Sequence, residues 1–175
     1  HTVGSKAANE GVDVSIFRQA VIMQMTLQGA PTIYYGDEVG VCGWTDPDNR
    51  RSFPWGKEDW NILEFHKYAI NLHKRHKSLR YGSLIPILGE KDLIAYIRAV
   101  KDEQILVVIY TGSEEIEVDI PVWLMGLKNK DSLVRVMLTD ETSYNVGEYA
   151  IEVKGISAKL KLKKNTAAMY LAKSV

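Results

Sequence analysis

A chain of 175 residues, 46% apolar and 25% charged, is long enough for one medium domain or two small ones, and its composition excludes a disordered, collagen-like or coiled-coil polypeptide. Its 22 basic residues balance 22 acidic ones, nine against nine in residues 1–77 and thirteen against thirteen in 78–175, so no basic stripe offers itself to nucleic acid. The single cysteine, Cys42, excludes an internal disulfide framework and a Cys-rich zinc site, and no apolar run approaches the roughly 18 to 20 residues of a membrane-spanning helix. The chain starts at His1 with neither a methionine nor a signal-peptide pattern; it reads as a piece of a longer protein whose compartment is open.

Residues 1–11, rich in Gly, Ser, Ala and Asn, read as loop. Asp13 is placed to cap a helix over residues 14–27, where Ile16, Ala20, Met23 and Leu27 recur at helical spacing and Phe17 and Val21 widen the apolar stripe. Gly29 stops it, Pro31 introduces a buried strand over residues 32–35, and Gly36 ends that strand at a long charged loop. Asp59 caps a second helix, 60–76, with Ile62, Leu63, Phe65, Ala69, Ile70 and Leu72 on a broad face. Helix, strand, loop and helix make the tail of an α/β unit, not a domain, because one strand of a parallel sheet needs neighbours on both edges.

After Lys77 the apolar period changes from 3.6 to 2. Residues 83–88, 93–100, 105–110, 116–120, 133–138, 150–153, 158–162 and 168–172 are strand-length runs separated by turn residues, a pattern that predicts an antiparallel β-sandwich or barrel. Lys159, Lys161 and Lys163 alternate with Leu160 and Leu162, giving one solvated and one packed face. Trp123, beside Pro121, Val122, Leu124 and Met125, reads as core, which leaves the sandwich without an exposed aromatic platform.

The loop 37–55 concentrates the chemistry. Trp44, Phe53 and Trp55, with Tyr34 and Tyr35 just before them, offer flat apolar faces; Asp37, Glu38, Asp46, Asp48, Arg50 and Arg51 offer charge-assisted hydrogen bonds. A polyhydroxylated ligand needs both, although the same residues could pack and solvate the loop. Neighbouring Asp37 and Glu38 should point apart on an extended segment, and Asp46 and Asp48 lie beside two arginines suited to internal ion pairs, so neither pair reads as an independent acid and base. His66, His73 and His76 are too far apart along one helix to form a metal site together and read as packing or solvated residues.

The stretch Gln28-Gly29-Ala30-Pro31-Thr32-Ile33-Tyr34-Tyr35-Gly36-Asp37-Glu38, followed by Trp44-Thr45-Asp46-Pro47-Asp48-Asn49-Arg50-Arg51 and Pro54-Trp55, resembles the end of the (β/α)8 barrel in the α-amylase family of glycoside hydrolases, above all its neopullulanase, cyclomaltodextrinase and maltogenic amylase branch. The resemblance implies the last helix-strand-helix of a TIM barrel in residues 1–77, with the loop at the face where such barrels build active sites, and an all-β antiparallel sandwich in 78–175. It is specific over residues 29–51 and only architectural after Lys77.

Retaining glycosidases use two carboxyl groups about 5 to 5.5 Å apart. In this family they precede the stretch matched here, and a third aspartate normally follows an Asn-His pair shortly before helix seven; residues 1–11 contain no aspartate. The resemblance therefore implies no catalytic residue in this chain, and substrate-binding roles for Asp46 and Arg50, which can bracket vicinal hydroxyls, and for Trp44, which can stack on a sugar or pack on Pro47. It implies maltooligosaccharide, cyclodextrin or pullulan as partners of the whole enzyme and no cofactor, with an upstream calcium ion left open. Alone, the chain is expected to self-associate through exposed barrel surfaces, or to keep its sandwich folded while residues before about Lys77 rearrange. A non-catalytic glycan-binding sandwich and a structural or oligomerisation module are the alternatives.

Overall fold

The computed structural model describes residues 12–43 and 46–174, so the loop expected at 1–11 and the candidate Trp44 lie outside the described residues. Helix α1 (Val14–Thr26) starts where the Asp13 carboxylate accepts from the N–H groups of Ser15 and Ile16, at 2.8 and 3.3 Å, two donors that a helix N-terminus otherwise leaves unpaired. Asp59 caps α2 (Trp60–Arg75) in the same way. A short α3 (Lys77–Tyr81), which the sequence pattern did not announce, leads into the strands.

The strands are β1 (Ser83–Gly89), β2 (Leu93–Val100), β3 (Glu103–Tyr110), β4 (Ile116–Pro121), β5 (Ser132–Thr139), β6 (Tyr144–Asn145), β7 (Tyr149–Glu152), β8 (Ser157–Leu162) and β9 (Thr166–Lys173). Eight match the expected runs; β6 has two residues, too few for alternation to be visible. Strands β1-β2-β3-β9-β5 form an antiparallel sheet, extended beyond β5 by β6 and β7, while β4 and β8 pair as a second antiparallel sheet. On β3, Leu106, Val108 and Tyr110 face a core shared with Ile120, Leu160 and Leu162 of the small sheet; Ile105, Val107 and Ile109 face a second core shared with Val21, Ile22 and Met25 of α1 and Phe65, Ala69 and Leu72 of α2. Both faces of β3 are covered over residues 105–110, which is why that stretch is an unbroken apolar run. The layers are helices, large sheet, small sheet.

Helix α1 docks with a side that periodicity did not select. Ile16, Ala20 and Leu27 of the expected stripe are exposed, whereas Ser15, Arg18, Gln19, Ile22, Met25 and Thr26 are buried. The polar members find partners on the strands: Arg18 Nε donates to Thr139 Oγ1 (2.6 Å) and its Nη2 to the Asp140 carbonyl (2.9 Å), Gln19 Nε2 donates to the Tyr110 carbonyl (2.7 Å), and Thr26 Oγ1 lies 2.6 Å from the Tyr96 hydroxyl. Matched in this way, buried polar groups lose little on leaving water. At the other end, Arg98 of β2, 1% exposed, donates from Nη1 to the carbonyls of Thr26 and Leu27 and from Nη2 to that of Gly82 (2.8 Å). A cation among the last carbonyls of a helix satisfies orphan acceptors and complements the helix dipole.

Two further expectations are corrected. Residues 32–35 pair with no strand among the described residues; β-branched and aromatic content favours a strand only where neighbours supply a ladder, and none lies beside them. Trp123 is 56% exposed, on the turn Trp123–Met125, where the three-residue repeat points Val122 and Met125 into the core and Trp123 away from it.

The α2–α3 corner carries a pH-sensitive cluster. His76 Nδ1 lies 2.8 Å from Glu103 Oε2, and Ser78 donates from its N–H and its hydroxyl to Glu103 Oε1, each at 2.8 Å. Burial pushes the Glu103 carboxyl up, but the hydrogen bonds from Ser78 and His76 outweigh it and hold the group below its ordinary value. A carboxylate depressed by folding adds stability above its unfolded pKa, roughly 4.3, and that stability is lost as pH falls through the folded value. Thermal melts are therefore expected to decline below about pH 4, with Glu103→Gln giving a shallower decline; Asp13 and Asp140, also held low, retain the rest. At neutral pH Glu103→Ala should cost about 2 kcal/mol in a urea titration, and an unchanged midpoint would remove the cluster from the stability of the corner.

Candidate functional site

The loop between α1 and α2 is shaped by tight turns. A turn of 3-10 helix, Asp37–Val39, sits between Gly36 (φ 94°) and Gly40 (φ 77°), and the Gly36 N–H donates to Glu38 Oε2 at 2.8 Å. At Gly36 a side chain would be strained twice, by the positive φ and by a Cβ only 2.9 Å from the Val41 side chain. Farther on, a second such turn, Asp48–Arg50, follows the cis Asp46–Pro47 peptide. The Tyr35 hydroxyl donates to the Arg51 carbonyl at 3.0 Å and ties the two halves of the loop together.

The turn brings Asp46 and Arg50 face to face. Arg50 Nε donates to Asp46 Oδ1 at 3.2 Å and Nη2 to Oδ2 at 3.0 Å, a bidentate pair; Arg51 makes its own pair with Asp48 Oδ1, from Nη2 at 2.6 Å. The Arg50 and Asp46 side chains are 67% and 60% exposed, and pairs so exposed contribute only about 0 to 1 kcal/mol. Their effect is orientation. A guanidinium has five N–H donors and a carboxylate about four lone-pair sites, so the bidentate contact leaves each with capacity for further hydrogen bonds in a fixed geometry. Trp55, 80% exposed, packs against Phe53 with ring centroids 4.5 Å apart and planes tilted by 46°, and adds an aromatic face nearby in the chain.

Val12, Phe17, Tyr34, Tyr35, Asp37 and Asn49 are among the residues that line a concavity of about 270 Å³. Burial raises the Asp37 carboxyl above its ordinary value, His66 opposing the shift and Glu38 adding to it. Asn49 Oδ1 is enclosed and has no hydrogen-bond partner among the described residues. Asp37 and Glu38 part, as expected of neighbours, but unequally: Glu38 folds back on Gly36 while Asp37 lines the concavity. No local pattern distinguishes them. The three histidines of the α2 region have separate partners: His66 donates to the Ile62 carbonyl, His73 to that of Met25, and His76 meets Glu103.

No family model matches the chain. Neopullulanase 2 of Thermoactinomyces vulgaris is 42% identical over 103 residues, 57% of this chain and 18% of that protein. The cyclomaltodextrinase of Thermoanaerobacter pseudethanolicus is 34% identical over 125 residues, 70% of this chain and 21% of that protein. The crystal structure of the α-amylase from Geobacillus thermoleovorans complexed with acarbose matches with a TM-score of 0.79 at 23% identity, over 95% of this chain and 35% of that one, a likeness of fold. This chain thus spans about a fifth of the length of the two relatives, and the similarity lies in their C-terminal region.

Proposed function

This chain is homologous to the C-terminal region of α-amylase-family glycoside hydrolases, and on that footing we propose that it is the part of such an enzyme that carries a substrate-binding loop and a β-sandwich. The whole enzyme hydrolyses α-1,4-glucosidic bonds of cyclodextrins, pullulan or maltooligosaccharides by double displacement with retention, using carboxyl groups outside this stretch. Residues 1–77 are the end of its (β/α)8 barrel and 78–175 its sandwich. In keeping with this reading, α1 exposes Ile16 and Leu27 on the side away from the sheet, and Tyr34 and Trp60 are also exposed. In the whole enzyme the rest of the barrel covers these surfaces; taken alone, the chain self-associates through them.

Within the loop, Asp46 and Arg50 bind glucose hydroxyls and Trp44 contributes a third contact. The observation that carries this role is the bidentate Asp46–Arg50 pair, oriented and yet well exposed. In the whole enzyme, Asp46→Ala or Arg50→Ala is expected to lower kcat/KM on cyclodextrin by about 10- to 100-fold, equivalent to ~1.4 to 2.7 kcal/mol. An unchanged kcat/KM would take both residues out of substrate binding. A glycan-binding role for the sandwich is the second reading, and the exposed Tyr149 and Trp123 favour it over a purely structural one.

A further inference from the structure

β7 and β8 leave a turn closed by the Lys154–Ser157 bridge and then part, β7 joining β5 in the large sheet and β8 joining β4 in the small one. Each is paired along one edge only among the described residues. Between them opens a cleft of about 640 Å³, within the roughly 300 to 1,000 Å³ usual for ligand sites. It borders β7 from Tyr149 to Glu152, about 10 Å at the rise of a strand, room for more than one sugar ring.

Arg135 of β5 lines this cleft and stands opposite Tyr149 on one side and Tyr170 on the other in the strand register. Its guanidinium lies 5.6 Å from the centre of the Tyr149 ring, and Nη2 donates to Asn145 Oδ1 (3.2 Å) and to the Gly147 carbonyl (3.3 Å). Arg135 Nε is enclosed and has no hydrogen-bond partner among the described residues. Tyr149 is 60% exposed and supplies an aromatic face. Glu117, Asp119 and Glu152 face Lys154, Lys159 and Lys161 around the walls, and both Lys159 and Lys161 reach Glu117, at 3.9 and 3.5 Å.

These walls are nearly balanced in charge, so they hold no field that would select an anion or a cation. They are too rich in charge for a purely apolar occupant. A neutral chain with apolar ring faces and hydroxyl edges satisfies both halves of the lining, one ring stacked on Tyr149 and hydroxyls bonded to Arg135 and the wall carboxylates. We propose that the cleft between β7 and β8 is an α-glucan-binding site separate from the loop of residues 37–55. The choice of glucan rests on the function proposed above; the cleft itself does not.

The test is calorimetric titration of the full 175-residue chain with maltoheptaose, at low and high salt, on wild type, Tyr149→Ala, Tyr149→Phe, and the Asp46→Ala/Arg50→Ala double variant. Binding is expected in wild type and in the double variant, with little change on adding salt. Tyr149→Ala should bind about tenfold more weakly and Tyr149→Phe nearly normally, since Phe keeps the ring. Absence of binding in wild type, or equal binding in wild type and Tyr149→Ala, overturns the proposal. Binding lost in the double variant but kept in Tyr149→Ala assigns the sugar to the loop instead, which ends the cleft proposal and leaves the enzyme reading intact. Cleft binding retained while cyclodextrin turnover ignores Asp46 and Arg50 has the opposite meaning.

Discussion

Arg98→Met is expected to lower the stability of the chain by about 4 kcal/mol and to loosen α1 from the large sheet. The substitution roughly preserves volume, so packing loss is small and the hydrogen bonds decide the outcome. The buried carbonyls of Thr26 and Gly82, and the partly exposed carbonyl of Leu27, lose their donor together. Each stranded acceptor costs about 1 to 3 kcal/mol, and the helix end also loses a favourable charge. Returning the guanidinium to water offsets part of this, because its burial is costly and no carboxylate among the described residues is a hydrogen-bond partner. Urea unfolding followed by circular dichroism measures the difference; Arg98→Lys, with one ammonium in place of a fork, should recover only part of it. A loss below about 1 kcal/mol for Arg98→Met would show that the α1 end is satisfied without this residue.

Gly82→Ala should cost about 3 kcal/mol for a different reason. The backbone at Gly82, φ −70° and ψ 156°, is open to any residue, so conformational freedom does not explain the glycine. Space does. A Cβ there would stand 2.3 Å from the Ser78 carbonyl oxygen, 2.8 Å from that of Ala99 and 2.9 Å from Ser78 Cα, all backbone atoms that cannot rotate away. Alanine must push α3 from β2, disturbing the Gly82 N–H bond to the Ser78 carbonyl and the Arg98 contact to Gly82, and overpacking of this kind typically costs about 1 to 3 kcal/mol or more. Gly89→Ala is the control: among the described residues nothing lies within 4 Å of its Cβ position, and its melting temperature should fall far less. Equal shifts for the two variants would refute the steric account.

The strands were legible because they alternate, and β3 because it does not: covering on both faces leaves an unbroken apolar run. The caps Asp13 and Asp59 were legible because a capping signal is local. The docking face of α1 was not, since Arg18 and Gln19 become core residues only through acceptors near the ends of β3, β5 and β9, far away in the chain. Arg98 likewise alternates like a solvent-facing strand residue, and only the tertiary fold supplies its carbonyls. In the loop, the spacing of Asp46, Arg50, Asp48 and Arg51 foretold the ion pairs. The concavity at Asp37 and Asn49, and the cleft at Arg135 and Tyr149, join residues from several segments and leave no mark in any one of them.

The second core, shared by α1, α2 and the large sheet, limits how such chains can be shuffled in evolution. A crossover at residue 77 would transfer nine strands with Ile105, Val107, Ile109 and Met169 bare on one side, and with Thr139, Tyr110 and Arg98 awaiting polar partners from another lineage. A transplant that keeps this core covered therefore has to include both helices, from the cap Asp13 onward.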